Sequence, residues 1–245
     1  MSTVSGTGAV TGNSASDPAA ATMFQEEWQV YRKVVDNNYL FHREAYGALH
    51  EVLAAETEPF RFLDVACGDA SATVGALAGT RVCAYQGIDL SDAALALAAT
   101  TLATLPCPVT LTRRNFVDAL REPGLSADVA WVGLSLHHLR QPEKLALMWD
   151  ARRIVGATGK LLLYENASPG PETRDAWMTR WDRQRPDWTA FSDREWDAIS
   201  SHVHANDHPE TDAAWLQLGT DAGFGRARCL YASPTELFRL YCFDA

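Results

Sequence analysis

Asp64 is the one charge inside the apolar run of RFLDVACGDAS (Arg61 to Ser71), and a carboxylate in a buried strand needs a partner. Gly68 follows at a tight turn, where the absence of a Cβ permits positive φ and lets a ligand approach the backbone. The small residues Ala66 and Ala70 keep that turn open on either side, and Asp69 or Ser71 can cap the helix it opens. About twenty residues beyond Gly68, Asp89 ends a second apolar run, CAYQGIDL, with Leu90 behind it, as a mononucleotide-binding β-α-β unit requires. A carboxylate there can accept both hydroxyls of a ribose, because two converging donors in a site losing water call for an ionised acceptor. The alternative reading leaves Asp89 or Ser91 as a helix cap, although Ser91 can cap alone. Further along, His137 and His138 can exchange protons near neutral pH. Adjacent side chains point different ways, so one is expected in the scaffold and the other in a cleft.

The elements that must hold these residues follow an alternation of strand and helix. Phe62 to Ala66 predicts a buried strand, Ala70 to Ala78 a helix, Cys83 to Leu90 a second strand and Asp92 to Leu105 a second helix. Strands are also predicted at Pro108 to Arg113 and Ala127 to Gly133, a helix from near Pro142, and a fifth strand within Gly156 to Asn166. Tyr164, Glu165 and Asn166 are expected at its cleft edge. Trp215 to Ala222 reads as a helix, and FGRARCLYA with ELFRLYCFD as two closing strands around Ser233-Pro234, antiparallel because their connection is short. This pattern is that of an α/β, doubly wound, mostly parallel seven-stranded sheet with an antiparallel terminal hairpin strand.

One domain is expected over residues 22–245, preceded by a disordered tail, 1–21, of Ser, Thr, Gly and Ala with too few large apolar groups to offset its ordering entropy. Residues 22–55 show helical spacing broken near Asn37 and Asn38, giving two helices with a polar joint. Residues 167–212 interrupt the alternation with Trp177, Trp181, Trp188 and Trp196, interleaved with Arg180, Asp182, Arg183, Arg185 and Asp187. This predicts a helical insertion capping the substrate site. Its HVHANDH stretch suggests metal binding, but His202 and His204 share a face only on a strand and no second ligand cluster accompanies them, so no metal is expected.

With a net charge of −10, the chain would repel a phosphate backbone, so a nucleic-acid partner is not expected and a small molecule is. No run approaches the roughly 20 apolar residues of a membrane span, and the start lacks the pattern of a signal peptide. Five scattered cysteines without CxxC spacing read as reduced thiols, and the expected location is cytoplasmic.

DVACGDAS resembles the acidic-x-Gly-x-Gly-x-Gly motif of class I S-adenosylmethionine-dependent methyltransferases, with alanine at two of the three glycine positions. The resemblance covers roughly residues 40–166 and 213–243 and includes the closing hairpin after Gly223-Phe224. It implies a Rossmann-like fold and S-adenosylmethionine as cofactor, with S-adenosylhomocysteine as product. Asp64, Ala66, Gly68, Asp89 and Leu90 would line its site, Asn115 and Phe116 would hold the adenine, and the backbone of Val132, Gly133 and Leu134 would meet the methionine half. It further implies that the N-terminal helices form a lid, with Tyr31, Tyr39, His42 and Arg43 positioned to face the cleft. The Asn-Pro-Pro-aromatic motif of base-amine methylation is absent.

The expected reaction is in-line methyl transfer to a small metabolite, in which the protein chiefly holds the nucleophile about 3 Å from the methyl and excludes water. If the nucleophile arrives protonated, His137, His138, Glu165, Tyr39 or His42 could take the proton. Two alternatives stay open: an NAD-dependent oxidoreductase, against which Asp64 beside a pyrophosphate argues, and a cofactor-binding protein without transfer activity.

Overall fold

The computed structural model describes Val30 and residues 32–245; the predicted tail, Trp28 and Tyr31 lie outside them. In chain order the elements are α1 (His42–Ala54), β1 (Phe60–Val65), α2 (Ser71–Leu77), β2 (Val82–Asp89), α3 (Asp92–Leu102), β3 (Val109–Arg113), α4 (Phe116–Arg121), β4 (Val129–Gly133) and α5 (Gln141–Val155). They continue with β5 (Lys160–Ser168), α6 (Arg174–Asp182), α7 (Asp193–Asn206), β6 (Glu210–Thr211), α8 (Asp212–Asp221), β7 (Arg226–Ala232) and β8 (Phe238–Asp244). Residues 32–36 are also helical and precede a turn at 37–40, which is the polar joint expected around Asn37.

Seven strands run in the order β3-β2-β1-β4-β5-β8-β7, with β6 paired to β5 as an eighth. Strands β1 to β5 are mutually parallel, and β8 is antiparallel to both β5 and β7. The chain therefore winds outward from β1 to β3 and returns to β4, so the topological switch lies between β1 and β4, where such sheets bind ligands. The fifth strand runs two residues past its predicted end because Ala167 and Ser168 pair with Glu210 and Thr211. That pairing is non-local.

Alternation along the strands divides the core between the two faces of the sheet. Phe62, Trp131, Leu162 and Tyr164 pack with Leu49, Leu53 and Leu77 on one face. Leu63, Val65, Val132 and Leu163 pack with Leu147, Met148 and Trp215 on the other. The first face continues into the insertion: Trp177, Trp181, Trp188 and Trp196 belong to the same apolar cluster. The insertion is also tied to the N-terminal segment, since Lys33 pairs with Glu195 and the Ala190 N–H donates to the Tyr39 hydroxyl at 2.9 Å. Ser192 caps α7, accepting the Glu195 N–H at 3.3 Å. No described helix is long and apolar enough to cross a membrane.

Gly219 sets the distance between α8 and the sheet, since a Cβ there would lie 2.2 Å from the fully buried Phe243 ring. Gly219→Ala should destabilise the fold by about 1–3 kcal/mol despite alanine's better helix propensity, because the ring has no room to retreat. Thermal unfolding measures this, and an unchanged or raised Tm would mean the helix shifts freely.

Candidate active site

The turn after β1 holds three residues in the left-handed region: Ala66 at φ 57°, Gly68 at φ 54° and Ala70 at φ 55°. The two alanines thus occupy a backbone shape that suits glycine, which explains why glycine stands there in the resembled motif. Asp89 locks the turn to the end of β2. Its Oδ2 accepts the Gly68 N–H at 2.9 Å and its Oδ1 accepts the Ser91 N–H at 2.9 Å, while Ser91 itself caps α3. Each carboxylate oxygen can accept a further hydrogen bond. The Asp69 carboxylate accepts both the N–H and the hydroxyl of Ser71, whereas the N-cap position of α2 is Ala70, without a side-chain cap.

Asp64 lies behind the turn and is buried. The Tyr85 hydroxyl donates to it at 2.7 Å, and burial pushes its carboxyl up to about 7 against the lowering effect of Tyr85 and Thr73. It braces β1 against β2 and does not line the cavity in front of the turn. On the other side of Asp89, Leu90 is 57% exposed, Phe116 is half-buried, and Asn115 caps α4 by accepting the Val117 N–H at 2.9 Å.

A cavity of about 340 Å³ opens between the turn and the insertion. Ala66, Cys67, Gly68 and Gly133 form one wall, and Trp181, His137, His138 and His202 face them. Val132 is buried on the opposite face of the sheet from Trp131, while Gly133 lets two side chains approach: a Cβ there would crowd the Tyr46 hydroxyl and the Trp131 ring at 3.2 Å.

The histidine turn, residues 136–138, is built on Glu165, which has no solvent exposure. Its Oε1 accepts the Ser135 N–H at 2.6 Å and the Leu136 N–H, while its Oε2 accepts from the His137 N–H at 3.2 Å and Nδ1 at 2.8 Å. Burial alone would raise this carboxyl, but His137 and the backbone donors hold it below the ordinary range. Burial alone would likewise lower His137, yet Glu165 and Asp207 hold the imidazole above its usual value. Asp207 is buried beside both histidines, with Oδ2 accepting from Asn166 Nδ2 at 2.8 Å.

The structure brings together only part of the expected proton-transfer set. His137 and His138 both border the cavity, the first buried on Glu165 and the second more open. Glu165 is scaffold, its oxygens taken up by the turn. Tyr39 stacks on Trp188 at 4.5 Å and is held by Ala190, away from the cavity. His42 does reach the cavity, its Nδ1 is buried without a hydrogen bond, and burial lowers its pKa to about 4. Tyr164, expected at the cleft edge, is buried and donates instead to the Leu40 carbonyl at 2.7 Å. Of the four insertion tryptophans only Trp181 lines the cavity; the others pack with it and with Phe191 as the core of the insertion. Arg180, Asp182 and Arg185 are engaged with Glu172, His204 and Asp193. Sequence reasoning missed Asp207 and Asn166 as a pair, since their meeting spans 41 residues.

Residues 62–159 match the family model described as a methyltransferase domain. No curated protein sequence matches the chain. Among solved structures, magnesium protoporphyrin IX methyltransferase from Synechocystis, with bound S-adenosylhomocysteine, is similar at a TM-score of 0.59 and 14% identity, covering 91% of this chain and 94% of that one. A candidate O-methyltransferase from Nostoc punctiforme is similar at a TM-score of 0.58 and 16% identity, over 87% of this chain. An O-methyltransferase family protein from Burkholderia thailandensis gives 0.59 and 19%, over 86%. The chain spans only 60% of the Nostoc protein's length and 59% of the Burkholderia protein's.

The strained alanine at position 66 yields a direct test. Ala66→Gly should stabilise the protein by about 1 kcal/mol, because relief of the left-handed conformation outweighs glycine's extra freedom in the unfolded chain. The expected rise in Tm is about 2–4 °C, and a fall would mean the Ala66 methyl contributes packing that its half-buried position does not suggest.

Proposed function

We propose that this chain, a class I S-adenosylmethionine-dependent methyltransferase, transfers a methyl group to a small metabolite held between the glycine turn and the insertion. The observation that carries this reading is a cavity that brings Ala66, Gly68 and Gly133 together with Trp181, His137 and His138. Its volume of about 340 Å³ suits a small acceptor better than a polymer.

When bound, S-adenosylmethionine supplies an electrophilic methyl group on a sulfonium sulfur. The residues present fit it. Asp89 offers a carboxylate with unused acceptor capacity at the end of β2, suited to ribose hydroxyls. Exposed Leu90 and half-buried Phe116 offer apolar surface for a purine ring, and Asn115 keeps its side-chain amide beside them. The turn leaves room along the backbone for the methionine half, since nothing stands near where a Cβ of Gly68 would lie.

The acceptor side then follows from the chain's own groups. Trp181 and Leu40 shield the cavity from water, and the insertion holds an acceptor in place against the turn. His42 is uncharged at neutral pH because burial disfavours its imidazolium, so its ring serves as a neutral hydrogen-bonding group at the cavity rather than as a proton sink. The acceptor is best sought by screening metabolites for S-adenosylhomocysteine release.

Asp89→Ala should weaken S-adenosylhomocysteine binding by roughly ten- to a hundredfold, the worth of hydrogen bonds to a charged group. Calorimetry reads this, and an unchanged Kd in a folded variant would remove Asp89 from the site. The two tryptophans should separate. Trp181→Ala should raise the acceptor's KM with little change in S-adenosylhomocysteine affinity, whereas Trp188→Ala should chiefly lower Tm, at a cost of about 3–5 kcal/mol. Equal effects from both would make the whole cluster core and move the acceptor pocket elsewhere.

A further inference from the structure

We propose that His137, His138 and Asp207 form a binding site for one divalent transition-metal ion, best matched by zinc, on the wall of the cavity. One ligand atom from each side chain lies within 4.8 Å of the others. The second, independent observation is Asp207 itself: it is 3% exposed, and its Oδ1 is buried with no hydrogen-bond partner, although Oδ2 is held by Asn166. An ionised buried oxygen without a donor is costly. Its neighbours are His137 Nε2 at 3.9 Å and His138 Nδ1 at 3.6 Å, both beyond hydrogen-bond length. Ligand atoms around a four-coordinate zinc stand about 3.3 Å apart, given bonds of about 2.0–2.1 Å. Small inward movements of the His138 ring and of the Asp207 carboxylate therefore close the set.

The support around His137 points the same way. Its Nδ1 donates to Glu165 at 2.8 Å, and Glu165 is anchored by backbone N–H groups, which leaves Nε2 aimed at Asp207. A carboxylate behind an imidazole fixes the tautomer and orientation of a metal-binding histidine. Asp207 is held from its own side: Asn166 grips Oδ2, and the next residue, His208, donates its N–H to the His137 carbonyl at 2.7 Å. Two imidazole nitrogens and one carboxylate oxygen suit zinc better than magnesium or calcium, and three protein ligands leave a position open. That position faces the cavity, which all three residues line. Binding would replace any proton on Nε2 of His137 and release it to water. A consequence that rests on the methyl-transfer reading is that the ion would hold an acceptor through a hydroxyl oxygen, lowering the pKa of that hydroxyl.

The test uses the untagged full chain after chelator treatment, titrated with zinc by calorimetry and with cobalt by visible spectroscopy. One equivalent of zinc should bind. Affinity should fall at least a hundredfold in Asp207→Asn and in His138→Gln, and about 10- to 100-fold in Glu165→Gln. His204→Gln, at the Asp182 pair, should leave it unchanged. Tetrahedral cobalt bands should appear in the wild type and vanish in Asp207→Asn. Absence of stoichiometric zinc, or wild-type affinity in Asp207→Asn and His138→Gln, would overturn the site and leave Asp207 simply facing an imidazolium. S-adenosylhomocysteine binding, measured in parallel, separates the two readings: its absence in the wild type with zinc retained would reject the methyltransferase reading alone, and a cooperative thermal transition at the wild-type Tm shows that His138→Gln is folded.

Discussion

The geometry of the cavity's far wall depends on one buried carboxylate. Glu165 sits at the carboxyl end of β5 without solvent exposure and collects the N–H groups of Ser135, Leu136 and His137 together with the His137 ring. A charge in that position is tolerable only because it is matched by several donors at once. The requirement runs in both directions. The turn after β4 has backbone N–H groups that no helix or strand satisfies, and the carboxylate has lost its water. Each solves the other's problem, and the product is a histidine ring in a fixed orientation beside the switch point of the sheet.

A second carboxylate performs the matching task at the other side of the crevice. Asp89 joins the turn after β1 to the start of α3 by accepting one N–H from each. The turn it stabilises contains two alanines in left-handed conformation, so conformational strain is concentrated at the carboxyl end of β1. Asp64 contributes from behind, through Tyr85, rather than from within the cavity. Two acids only 25 residues apart in a familiar pattern thus have different partners, one a tyrosine in the core and one the backbone of the turn after β1.

The tryptophan-rich insertion packs onto the main core and at the same time lines the cavity through Trp181. Trp177, Trp188 and Trp196 surround Trp181 in stacked and edge-on contacts, and this cluster merges with one face of the main core. Such packing holds Trp181 rigidly, with its ring available to the cavity. Tyr39, stacked on Trp188, extends the same cluster into the N-terminal segment. The N-terminal segment and the insertion are therefore held together by stacking, a hydrogen bond and an ion pair.

The order of strands and helices, the glycine turn, the acid ending β2 and the closing hairpin were legible from local pattern alone. Each depends on a period, a turn residue or a spacing within a few tens of residues. The same pattern expected one of His137 and His138 in the cleft and the other in the scaffold, whereas both border the cavity, and it offered Ser91 as a cap. Local pattern could not say which acid faces which way: Asp64 and Glu165 both looked available and both proved to be structural, because their partners come from Tyr85 on β2 and from the turn after β4. Nor could it separate Trp181 from its three neighbours, since burial is decided by what packs against a segment. The meeting of Asp207 with Asn166 and the two histidines joins the end of α7 to β5 and the turn after β4. Only the folded sheet, by bringing the carboxyl ends of β4 and β5 side by side beneath the insertion, makes those distant residues neighbours.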